Sequence, residues 1–87
     1  MRVIQLKAPG CIPCQNVYNF LKTNLGEDHF EQIDATEGHN KTKYELKAVP
    51  VVILYDDGGN EVKRVEGARL KELKEVISLY NEQKESA

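Results

Sequence analysis

The chain has 87 residues, 40% hydrophobic and 30% charged, with a mean hydropathy of −0.54. This is enough apolar material for one modest core, so a single domain over residues 1–87 and a monomer in solution are expected. The longest apolar run, residues 49–55, is too short to cross a bilayer, and a net charge of −2 with Lys and Glu interspersed leaves no basic stripe for a phosphate backbone. Neither a membrane nor a nucleic acid is expected as a partner.

The first ten residues lack an apolar core followed by a small-residue cleavage site, so the default setting is the reducing cytoplasm. Residues 3–6 form a short apolar run stopped by Pro9 and Gly10, which predicts a buried strand. Val17, Phe20, Leu21 and Leu25 then recur at helical spacing, with Gly26 placed to end the helix. Residues 29–34 carry Phe30 and Ile33 and suit a second strand. A polar stretch over 35–43 leads into a short helix expected around 41–47.

Residues 51–55 are a continuous β-rich run between Pro50 and the turn-forming Asp56, Asp57, Gly58 and Gly59, which predicts a central strand. The turn is too short for a crossover, so residues 62–66 should return antiparallel. From Arg69 onward Leu70, Leu73, Val76, Ile77 and Tyr80 make one apolar helical stripe, with fraying expected over 82–87. The order is β-α-β-α-β-β-α, an α/β fold whose first half is a parallel unit and whose second half contains an antiparallel hairpin.

Cys11-Ile12-Pro13-Cys14 lies where the first strand passes into the first helix. A bridge over two intervening residues removes little chain entropy, so the pair is a poor structural staple. At a helix start, free backbone N–H groups and the helix dipole favour a thiolate. Cys11 should be the exposed, attacking sulfur, and Cys14, one turn further in, the shielded, resolving one. Pro13 suits a helix start, where its missing N–H costs nothing. Half of a zinc site would need four ligands, with only His29 and His39 to complete it at unsuitable spacing. A C-x-x-C at a strand-to-helix turn beside a βαβ pattern points instead to dithiol exchange.

Three segments extend this reading. Ala8-Pro9-Gly10-Cys11-Ile12-Pro13-Cys14 resembles the active-site segment of the thioredoxin family, Lys43-Tyr44-Glu45-Leu46-Lys47-Ala48-Val49-Pro50 resembles its approach to a cis-proline, and Val65-Glu66-Gly67-Ala68 resembles its glycine loop. The resemblance implies a thioredoxin-like fold with a four-stranded mixed sheet flanked by helices. It also implies a thiol-disulfide oxidoreductase without dissociable cofactor, with Cys11 and Cys14 catalytic. Gly10, Ile12, Pro13, Val49, Pro50 and Gly67 would bind substrate. The Val49-Pro50 bond would be cis, leaving the Val49 backbone to pair with an extended substrate segment. Implied partners are disulfide-containing proteins and a thioredoxin reductase-like electron donor.

The departures concern the groove and the proton. Gly10 stands where the family usually has Trp, so a more open, less apolar groove is expected. Gln5 stands where thioredoxins bury an acid, and an amide cannot accept the Cys14 proton. The length and layout resemble glutaredoxins as well, which makes glutathione an alternative donor and ribonucleotide reductase an alternative acceptor. Lys7 is suggestive of the cation that glutaredoxins place before their motif, although it stands four residues ahead of Cys11 and equally suits a solvated surface. The rival from another class is a non-catalytic binding or metal-thiolate module.

Overall fold

Residues 3–6 are all buried, and they lie within β1 (Arg2–Lys7) of a computed structural model that describes residues 1–85. The burial follows from position: the sheet order is β2-β1-β3-β4, so β1 is internal. β2 (Phe30–Asp34) runs parallel to β1, while β3 (Val51–Tyr55) is antiparallel to β1 and to β4 (Glu61–Glu66). The sheet is therefore the expected four-stranded mixed one.

Side chains alternate across a strand, and this splits the core in two. Val3, Val52, Leu54 and Val65 pack with Val17 and Leu21 of α1 (Ile12–Asn24) and with Leu73, Val76 and Ile77 of α3 (Leu70–Glu85). On the other face Ile4, Leu6, Val51 and Ile53 pack against Ala35 and Leu46, which flank the one-turn α2 (Asn40–Lys43). Truncating a fully buried leucine such as Leu21 in a core of this kind costs about 2–5 kcal/mol.

Helix α1 ends where expected. The N–H groups of Leu25 and Gly26 both return to the Leu21 carbonyl, and Gly26 has φ 105, a value that favours glycine. The second strand begins at Phe30, since residues 27–29 form a 3-10 turn. The helix expected over 41–47 is instead earlier and shorter. It is closed by a Schellman pair of bonds, Leu46 N–H to Lys41 O at 2.8 Å and Glu45 N–H to Thr42 O at 3.1 Å, with Glu45 at φ 54 in the position usually held by glycine. That reversal puts Leu46 into the core. Leu70, expected in the apolar stripe, is the first residue of α3 and is 51% exposed. Residues 82–85, expected to fray, continue α3, while 86–87 lie outside the described residues.

Arg64 on β4 ties this connection to the sheet. Its Nη1 donates to the Tyr44 carbonyl at 2.9 Å, while Nη2 and Nε hold both oxygens of Glu61 at 2.8 and 3.2 Å. That bidentate bond keeps the Glu61 carboxyl below its ordinary range. A depressed carboxyl contributes stability above its unfolded pKa and loses it as pH falls through the folded one. Arg64→Gln should lower stability by about 1 kcal/mol near neutrality, chiefly through the lost bond to the Tyr44 carbonyl, because the exposed Glu61 pair is screened by solvent. The gap should narrow at acid pH, as read from urea midpoints. Glu45→Gly should raise the midpoint, gaining about 0.5–1 kcal/mol by relieving the left-handed backbone.

Candidate active site

The motif leaves the sheet at the end of β1 and becomes the first turn of α1. Cys11 is the N-cap, in extended conformation at φ −84 and ψ 105, and its Sγ accepts the Cys14 N–H at 3.1 Å. Cys11 and Cys14 are joined as a disulfide with Cα atoms 5.2 Å apart, inside the usual range. Pro13 occupies the second helical position, where no N–H partner is lost. Exposure divides the pair as expected: Cys14 is buried at 3%, Cys11 is half-buried, and Ile12 between them is 74% exposed.

Strand register brings the remaining segments to the motif. Leu6, five residues before Cys11, faces Val51 on β3, so Val49 and Pro50 arrive beside the end of β1. Val51 in turn faces Glu66, which delivers Gly67. The Val49-Pro50 bond is cis, and the Pro50 carbonyl accepts the Gly67 N–H at 2.8 Å. Gly67 has φ 87 and Gly10 φ 74, both left-handed values that a side chain would strain. Pro50 is buried, Val49 and Gly67 are half-buried, and Gly10 and Pro13 are exposed.

A cleft of about 380 Å³ runs beside the sulfurs, lined by Gly10, Cys11, Ile12 and Cys14 from the motif and by Lys7, Tyr18 and Gln32 from around it. Lys7 is half-buried there and helps, after two bonds from Thr36, to hold the Asp34 carboxyl below its ordinary range. A second cleft meets the first at Ala8 and is lined by Val49. Gln32 and Tyr18 went unnoticed in the sequence. β2 alternation is the signal that could have found Gln32, and helical spacing could have found Tyr18, four residues after Cys14 on the same face of α1. His29 pairs with Tyr80 at 3.2 Å and His39 is exposed before α2. No group of three or more His, Cys, Asp or Glu among the described residues is arranged to hold a metal ion.

Gln5 lies beneath the motif, fully buried, but it addresses the backbone. Its Nε2 donates to the Cys14 carbonyl at 2.8 Å, and its Oε1 accepts from Gln32 at 3.4 Å. The amide therefore anchors the turn that carries Cys14 and satisfies itself in an apolar core. A carboxyl at this position meets a carbonyl oxygen. When protonated it can donate as the amide does, and when ionised it opposes a second acceptor in a buried site, which raises its pKa above the unfolded value of about 4.3. Gln5→Glu should thus be nearest the parent in stability below about pH 4 and lose about 2 kcal/mol as pH rises through the raised pKa. Urea midpoints across pH check this, and a constant offset from the parent would show that position 5 does not titrate against Cys14.

Comparison with known proteins agrees with this geometry. The SPbeta prophage-derived thioredoxin-like protein YosR of Bacillus subtilis is 39% identical over 79 residues, covering 88% of this chain and 95% of that protein. Fasciola hepatica thioredoxin superposes with a TM-score of 0.71 at 30% identity, over 87% of this chain and 76% of that one. Thioredoxin 1 of Thermosipho africanus superposes with a TM-score of 0.77 over 98% of this chain and 99% of that one, and at 24% identity it speaks to the fold alone. No protein-family model matches the chain.

Proposed function

This chain belongs to the thioredoxin-like family and is a thiol-disulfide oxidoreductase, and we propose that it serves as a single-domain, monomeric reductant of protein disulfides in a reducing, cytoplasmic setting. The observation that carries the reading is the unequal placement of the two sulfurs. Cys11 caps the helix with its Sγ on a backbone N–H, and Cys14 is buried one turn further on. An N–H donor and a helix N-terminus favour an anion at Cys11 once the pair is reduced.

In this reading the Cys11 thiolate attacks one sulfur of a substrate disulfide, and the other substrate sulfur leaves as thiolate. Cys14 then passes its proton to water, since position 5 offers no carboxylate to take it, and its thiolate attacks Cys11 Sγ. The second substrate thiol departs, the Cys11-Cys14 disulfide closes, and two electrons have passed to the substrate. A reductase would restore the dithiol. Gly10, Ile12, Pro13, Val49, Pro50 and Gly67 are assigned to substrate binding. Supporting this, Ile12 offers exposed apolar surface at the rim, and strand register brings the Val49-Pro50 and Gly67 segments beside the motif. Glutathione is the second reading for the electron donor, favoured by the half-buried Lys7 in the Cys11 cleft.

Brief alkylation of the reduced protein at neutral pH should label Cys11 well before Cys14, as mapped by mass spectrometry. Cys14→Ser should accumulate a mixed disulfide with a protein substrate, and Cys11→Ser should abolish reduction. Full turnover of a protein disulfide by Cys14→Ser would contradict the dithiol cycle.

A further inference from the structure

We propose that the cleft beside Val49 binds an acidic segment of the protein substrate next to the disulfide under attack; this rests on the reductant reading above. The cleft holds about 400 Å³ and opens onto the cysteine cleft at Ala8. Its floor is apolar, with Ala35 and Leu46 buried and Val49 half-buried. Its rim carries Lys41 and Lys47, both exposed.

Charge distinguishes this region from the rest of the surface. The chain carries a net −2, yet every charged side chain lining the two joined clefts is a lysine: Lys7, Lys41 and Lys47. Elsewhere Arg2 is paired with Glu31, Lys63 with Glu75, Arg64 with Glu61 and Arg69 with Glu72, Lys22 and Lys43 lie over the rings of Tyr18 and Tyr44, and Lys71 and Lys74 enter no ion pair among the described residues. Among the described residues Lys41 and Lys47 enter no ion pair. Of the neighbouring acids, Asp34 turns to Thr36, accepting its N–H at 2.8 Å and its hydroxyl at 2.6 Å, while Glu37 and Glu45 are exposed, do not line the cleft and enter no ion pair among the described residues. Lys7 likewise enters no ion pair but lies in the cysteine cleft, so the positive charge bordering the Val49 cleft itself is that of Lys41 and Lys47.

An apolar floor beneath two unmatched cations suits a peptide better than a small free anion. In an extended segment every second side chain falls on the same side, about 6–7 Å along. One residue can then rest on Ala35 and Leu46 while a neighbouring carboxylate reaches the lysine rim. Such complementarity steers encounter and fixes register more than it adds raw affinity.

The test compares reduction of three fluorescent peptide disulfides that differ only in having Glu, Gln or Lys at two positions beside the cysteine. At low ionic strength the Glu peptide should show kcat/KM about fivefold above the Gln peptide, as two partly exposed charge pairs allow. The ratio should approach one at about 1 M salt, where the screening length is about 3 Å. In Lys41→Gln/Lys47→Gln the ratio should fall to about one, and Lys41→Glu/Lys47→Glu should prefer the Lys peptide. Equal rates for Glu and Gln peptides at low salt, or a Glu preference that survives in the double Gln variant, would overturn the proposal. Glutathione disulfide reduced as efficiently as the Glu peptide would overturn the assignment to a protein segment. Failure to reduce any peptide disulfide, the Gln peptide included, would instead sink the reductant reading itself.

Discussion

The register between β1 and β3 is the constraint on which the rest of the molecule depends. Leu6 opposite Val51 aligns the end of one strand with the start of another that runs the opposite way, and Val51 opposite Glu66 adds the end of a third. Three loops far apart in sequence therefore leave the sheet at one edge: the cysteine turn, the cis-proline and the glycine loop. Because strand side chains alternate, a slip of one residue would exchange the two faces of the core and scatter those loops. The packing of α1 and α3 on one face and of Leu46 on the other makes such a slip costly.

Two backbone contacts translate that register into a site. The Gly67 N–H on the Pro50 carbonyl locks the glycine loop to the proline, and the Gln5 amide on the Cys14 carbonyl locks the first turn of α1 to the sheet. The second contact is unusual for its residue type, since Gln5 is the buried polar side chain in an otherwise hydrophobic interior. Its two hydrogen bonds make that burial tolerable. They also give position 5 a structural task, holding the helix start that Cys11 caps while leaving Cys14 enclosed.

The surface around the sulfurs follows from small side chains and charge. Gly10, exposed at φ 74, leaves the approach to Cys11 open, and the apolar contact at the rim comes from Ile12. Lysines rather than carboxylates line both clefts. The family chemistry is thus set within a positively charged frame on a chain whose overall charge is negative.

Much of this was legible in the sequence because it is local. The apolar run at residues 3–6, the helical spacing of Val17 and Leu21, the Asp56–Asn60 turn region and the C-x-x-C at a strand-to-helix junction each report on neighbours a few residues away, and each formed near its expected bounds. α2 did not, because its end is decided by Glu45 adopting a left-handed backbone so that Leu46 can reach the core, a long-range demand that overrides local helix preference. The sequence by itself determined the order of elements, the pair of sulfurs and their inequality at a helix start. Only the tertiary structure decided what Gln5 bonds to, that Gln32 is brought beside the sulfurs, and that Lys41 borders the cleft at Val49. Those relations depend on strand register and on packing across the sheet, where residues distant in the chain meet.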